Sequence, residues 1–143
     1  MKAGVKQFVL DASIAVAWCF DDETTPLSER VLDLLSSGSE AFVPAIWPLE
    51  VANALLVAER RQRTSVAHAT ALLQRITGLP ISVEAIEPLR AFDQILSLAR
   101  QARLTEYDAA YAELALRRNL PLASLDDKLL APARSLGISL ITQ

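Results

Sequence analysis

Lys6-Gln7-Phe8-Val9-Leu10-Asp11 (KQFVLD) is a short apolar run that ends in an acid, and it reads as a buried β-strand. Outward from it, Ser13–Phe20 is apolar enough for a short helix, and Asp21–Pro26 is a polar break. Leu27, Val31, Leu34 and Leu35 then recur at helical spacing. Glu40–Val43 reads as a second strand ended by Pro44. Pro48 suits the first turn of a helix running through Glu50 to about Arg61, because that turn has no use for its missing N–H. Thr64–Thr77 is a helix closed by Gly78, Ile81–Val83 a brief strand, and Pro88–Arg103 and Thr105–Arg118 two further helices. Leu120–Ala123 and Ile138–Ile141 are strands flanking a short helix, Asp126–Ser135. About five short strands alternating with helices predict an α/β fold, a parallel sheet covered by helices on both faces. Ligands of such sheets collect at the carboxyl ends of the strands, so that edge is where chemistry is sought.

At 143 residues, with no linker, repeat or low-complexity stretch, the chain reads as one domain, 1–143. Its apolar runs are too short for a membrane span, and Met1–Gln7 carries no leader-like cleavage pattern. A single cysteine, Cys19, excludes an internal disulfide and suits the cytoplasm. One histidine, His68, excludes a paired-histidine mechanism within the chain, and with one cysteine it cannot build a closed zinc site. Any hydrolytic chemistry therefore falls to carboxylates. A net charge of −3 is the wrong sign for binding nucleic acid if charge is spread evenly, so the placement of acids and bases decides.

Four acids sit where acids are uncommon. Asp11 ends the first strand, where it could also serve as a helix cap. Glu50 shares a helical face with Ala54, Val57 and Ala58, with Asn53 a turn away, whereas Glu59, Arg60 and Arg63 mark the charged side. Its structural reading is an acid favoured by the helix N-terminal dipole. Asp108 shares a face with Leu104, Tyr111, Ala112, Ala115 and Leu116, and Glu106, Glu113 and Arg117 are expected to face solvent. Thr105-x-x-Asp108 also fits a capping box. Asp126 and Asp127 follow a predicted strand, where either Ser124 or one of the aspartates could cap the next helix. All four positions can meet at one sheet edge. Carboxylates crowded in one crevice resist ionising unless something positive binds, and an all-oxygen site suits a hard cation such as Mg²⁺ or Mn²⁺.

At Phe8–Ile14 (FVLDASI), Pro48–Leu55 (PLEVANAL), Leu104–Ala112 (LTEYDAAYA) and Leu120–Leu129 (LPLASLDDKL), the chain resembles the PIN-domain nucleases, and among them the VapC-type toxins. The matching segments span nearly the full length. The resemblance implies a three-layer fold in which Asp11, Glu50, Asp108 and Asp126 form an acidic quartet. That quartet would bind one or two Mg²⁺ or Mn²⁺ ions and support hydrolysis of RNA phosphodiesters. Ser13 matches a hydroxyl residue lining the same pocket, and Ser124-Leu125-Asp126 resembles the family's hydroxyl-x-Asp element. Asp127 stands beside it, and Asp126, the first acid after the strand, is favoured. A homodimer and an antitoxin partner that inserts a segment into the acidic site are further implications.

On this reading Asp11 and Asp126 are the principal metal ligands, while Glu50 and Asp108 complete the site, Glu50 as ligand or as base for the attacking water. Arg60, Arg61, Arg63, Arg117, Arg118, Lys128 and Arg134 are candidates for gripping RNA phosphates, although solvated helix surface is the commoner role of such residues. Two rival classes stand beside it. A non-catalytic PIN-like module would bind RNA or a partner without cutting, and the presence of all four acids argues against it. An aspartate-nucleophile phosphatase needs a D-x-D pair where this chain has Asp11-Ala12-Ser13. A phosphoryl-accepting receiver needs an aspartate ending its third strand, which Ile81–Val83 lacks.

Overall fold

The computed structural model describes residues 4–143. Met1–Ala3, part of the segment read for a leader, lie outside the described residues. The order along the chain is β1 (Gln7–Leu10), α1 (Ala12–Trp18), a 3₁₀ turn (Asp21–Glu23), α2 (Pro26–Ser36), β2 (Glu40–Pro44), α3 (Trp47–Arg60), α4 (Val66–Thr77) and β3 (Ile81–Glu84). There follow α5 (Pro88–Arg90), a π-helical turn (Ala91–Ile95), α6 (Leu96–Ala102), α7 (Glu106–Arg118), β4 (Leu122–Ala123) and α8 (Asp127–Ser135).

The sheet is wholly parallel, in the order β3-β2-β1-β4, so β1 and β2 are central. Central parallel strands are covered on both faces, which is why Phe8, Val9, Leu10, Ala41 and Val43 are apolar without alternation and all 0% exposed. Helix α7 packs on β1 and β2, α2 on β2, and α1 on both α2 and α3. Tyr111, Ala112, Leu114 and Ala115 of α7 join the strand residues in the main core.

The sheet has four strands where about five were expected. Ile138–Ile141 meets β4 through one parallel bridge, Leu122 to Leu140, with Leu122 N–H donating to Ser139 O and Ile141 N–H to Leu122 O. With only two residues, β4 has no further backbone to offer a fifth strand. The helix expected over Pro88–Arg103 is continuous but takes a π turn at Ala91–Ile95, and Arg103 closes it in the left-handed region at φ 56°.

Glu113 corrects the sequence reading most clearly. Expected to face solvent, it is 7% exposed, and its Oε1 accepts from Arg90 Nη1 at 2.7 Å and from Arg117 Nε at 2.8 Å. A buried carboxylate persists when cations and hydrogen bonds replace its water. Arg117 and Arg118 also pair with Glu84, and Arg118 lies over the Phe42 ring. Arg63 pairs with Asp22 and Glu23 and lies over Phe20. These three arginines are already engaged, which weakens their candidacy as RNA contacts.

Because Leu114 is almost fully enclosed between α7 and the sheet, Leu114→Ala is expected to lower the unfolding free energy by about 2–5 kcal/mol. Denaturant melts followed by circular dichroism measure this. A loss well under about 1 kcal/mol would mean that the site collapses around the deletion.

Candidate active site

Asp11 is the first residue beyond β1 and stands at the N-cap position of α1, yet its side chain makes no capping bond. Its Oδ2 accepts instead from Ser13 Oγ at 2.6 Å and Ser124 Oγ at 2.7 Å. Each serine also accepts a backbone N–H from the turn after β4, Ser13 from Leu125 at 2.9 Å and Ser124 from Asp126 at 3.0 Å. Two hydroxyls thus tie the Ser124-Leu125-Asp126 turn to the end of the neighbouring strand. Asp11 is 5% exposed, and burial raises its carboxyl above the ordinary aspartate range. The serine bonds oppose that rise, while the charge of Asp126 adds to it.

Glu50 lies in the first turn of α3 and is half-buried. Its Oε1 accepts from the Tyr111 hydroxyl at 2.6 Å. Burial raises its carboxyl, the tyrosine lowers it, and the charges of Asp11 and Asp108 raise it again. Asp108, half-buried in the first turn of α7, is raised by burial and by the charges of Asp126 and Asp11, against lowering contributions from Thr105 and Lys128. Its N–H donates to Thr105 Oγ1 at 3.1 Å. Among the described residues no bond returns from Thr105 N–H, so only half the capping box forms.

Asp126 caps α8, its Oδ1 accepting the Lys128 N–H at 3.0 Å, so the structural role read for it is real. Its charge nevertheless acts on both Asp11 and Asp108. Asp127 is exposed at the start of α8. The geometry therefore gathers Asp11, Glu50, Asp108 and Asp126 along one rim at the carboxyl edge of the sheet. It does not close them into a cage. Among the described residues no three acidic, histidine or cysteine side chains already stand as a ready metal cluster, so the four acids meet at the expected edge as a loose ring.

The donor set fits a hard cation all the same. Every side-chain donor on the rim is oxygen, and among the described residues no ion pair involves any of the four acids. Glu113, equally carboxylic and buried, has two arginines. Asp11, Glu50, Asp108 and Asp126, which sense one another's charge, are the residues that could hold a cation. A hollow of about 410 Å³ lined by Trp18, Asp22, Arg63, His68 and Arg75 contains none of the four acids. Uncompensated charge, rather than depth, marks the rim as the place for chemistry.

Tyr111 escapes a sequence reading. Its ring is fully buried, and its phenol is pushed far above the ordinary tyrosine range by burial and by Glu50, so it stays protonated. Its available signal is its place three residues beyond Asp108 on the same helical face.

A parallel sheet carrying a ring of carboxylates without ion-pair partners at its carboxyl edge defines a class of acidic-site α/β domains. The model of the PIN domain matches residues 8–142, and the chain belongs to the PIN domain family. Domains of this family are in general nucleases that use divalent ions. A search of curated proteins finds no significant sequence match. Among solved structures, PAE2754 from Pyrobaculum aerophilum is 25% identical with a TM-score of 0.69, covering 92% of this chain and 86% of that one. VapBC2 from Rickettsia felis, bound to a promoter DNA fragment, matches at 13% identity and TM-score 0.65, covering 94% and 97%. A toxin–antitoxin complex from Klebsiella pneumoniae matches at 14% and 0.57, covering 87% and 90%.

The raised carboxyls make a stability prediction with a definite sign. An acid whose folded pKa lies above its unfolded value binds its proton more tightly when folded, so it favours folding at low pH and loses that advantage as pH rises through the raised value. Asp108→Asn in chelator-treated protein is therefore expected to raise the thermal midpoint near pH 7. Solvent screening keeps the gain to a few degrees at most, and it should shrink toward zero only below about pH 3, where the unfolded aspartate is also protonated. Calorimetry across that range checks it. A gain independent of pH would contradict the charge origin.

Proposed function

We propose that this chain is a single-domain, divalent-metal-dependent endoribonuclease acting as the toxin of a type II toxin–antitoxin pair. The observation that carries the nuclease reading is the ring of four carboxylates without a cationic partner, in a chain of the PIN domain family. Asp11, Asp108 and Asp126 would hold the Mg²⁺ or Mn²⁺, with Glu50 completing its surroundings. When bound, the ion would lower the pKa of a water and offset negative charge on the phosphate.

The chain's own contribution is placement. Asp11 is held by Ser13 and Ser124 so that its second oxygen, Oδ1, is left for the ion. Asp126 is set by the same serine-tied turn. Glu50 has Oε2 available beside the tyrosine-bound Oε1, to orient the attacking water or take its proton at that atom. Lys128, whose charge already reaches Asp108, is a candidate for an RNA phosphate, and the exposed Arg60, Arg61 and Arg134 are further candidates.

The toxin reading is supported by the similarity to structures of toxin–antitoxin complexes. An antitoxin segment covering the acidic rim, a homodimer and a cytoplasmic location belong to the same proposal. No helix among the described residues is long and apolar enough to cross a membrane.

Purified protein is expected to cleave structured RNA with Mg²⁺ or Mn²⁺ and to stop in EDTA, with Asp11→Asn losing roughly 100-fold or more of the rate. Gel assays of labelled RNA read this out. Equal cleavage by Asp11→Asn, or undiminished cleavage in EDTA, would sink the proposal.

A further inference from the structure

We infer that Tyr111 is a positioning residue for this chemistry: its hydroxyl clamps Oε1 of Glu50 and thereby commits Oε2 to the acidic rim. The inference rests on the nuclease reading above and adds to it a residue from outside the acidic quartet.

The argument starts from a buried phenol. Tyr111 is 0% exposed, so its O–H must find an acceptor inside the protein. The acceptor is Glu50 Oε1 at 2.6 Å, within the short range of a charge-assisted O–H···O⁻ bond.

Geometry then sets the consequence. Glu50 sits on α3 and is only half-buried, so without a tether its long side chain has several rotamers open to solvent. Tyr111 sits on α7, whose ring and neighbours Ala112, Leu114 and Ala115 lie in the main core. The rigid partner therefore holds the mobile one. Asp108 lies one turn earlier on α7, so one helix supplies an acid to the rim and fixes another that comes from a different helix. With Oε1 bound, the carboxylate cannot rotate freely, and its free oxygen has a defined direction. Asp11 is served in the same way by two serines, so both carboxylates are held by neutral hydroxyl donors rather than by cations. A neutral donor orients a carboxylate without cancelling the charge that a metal ion needs.

The test compares wild type, Tyr111→Phe, Glu50→Gln, the double variant and Asp11→Asn. Mn²⁺ binding is measured by electron paramagnetic resonance without RNA, and kcat and KM are measured with RNA. Tyr111→Phe is expected to weaken Mn²⁺ binding or lower kcat by roughly 10- to 100-fold, the range for groups that orient metal ligands, with KM changed by less than about twofold. In the Glu50→Gln background the same change is expected to add less than about twofold, because the clamp acts only through Glu50. Wild-type behaviour of Tyr111→Phe on both readouts, or a full added loss in the Glu50→Gln background, overturns the inference. If Asp11→Asn matches wild type in both binding and cleavage, the nuclease reading itself fails and takes the inference with it. Should Tyr111→Phe fail to fold, Mg²⁺ titration of wild-type protein with labelled tyrosine rings and labelled backbone amides decides: a shift of the Tyr111 ring signals together with the Asp11 amide supports the clamp, and a shift of Asp11 alone overturns it.

Discussion

The carboxylate of Asp11 is withdrawn from water without a positive partner, and the arrangement of the site follows from that constraint. Burying an unpaired charge is expensive. Here part of the cost is offset by two serine hydroxyls, and the remainder appears as a raised affinity for protons. Glu50 and Asp108 share the condition, each lifted first by burial and then by its acidic neighbours. A folded chain keeps such repulsion where the group that relieves it is a ligand rather than a side chain. Glu113 shows the alternative in the same molecule: a buried carboxylate with no ligand to receive takes two arginines.

The fold makes this crowding possible. Parallel strands end together at one edge, so the residues following β1 and β4 become neighbours although they are 113 positions apart. The helix that follows β2 and the helix that precedes β4 both present their first turns at that edge, bringing Glu50 and Asp108 to it. Helix N-termini carry partial positive charge, which tempers the repulsion without neutralising it. Serine hydroxyls complete the frame by joining the β4 turn to Asp11 on one side, and α7 contributes both an acid and a core-anchored phenol on the other.

Much of this was legible in the residues. Glu50 and Asp108 stand out because a charge interrupts an otherwise apolar helical face, and that interruption is a local pattern. Asp11 follows from a strand that ends in an acid, whereas Ser13 is reached only through the resemblance to the PIN-domain nucleases. Tyr111 was not legible in its role: a tyrosine on an inward face reads as core, which it also is, and its acceptor lies 61 residues away. Glu113 misled for the same reason, because Arg90 is 23 residues distant and only the fold brings it over. The shortfall of the fifth strand has another origin. Ile138, Leu140 and Ile141 announce extended chain, but the length of a ladder depends on its partner, and β4 offers two residues. The π turn at Ala91–Ile95 is one turn inside a longer helix, too short to stand out in the apolar periodicity.

Anomalous scattering from crystals soaked in Mn²⁺ addresses the central claim most directly. The account predicts a peak on the rim, about 2 Å from a carboxylate oxygen of Asp11 and coordinated also by Asp108 or Asp126. Ordered density for all four acids with no peak among them, or a peak seated elsewhere on the molecule, would contradict it.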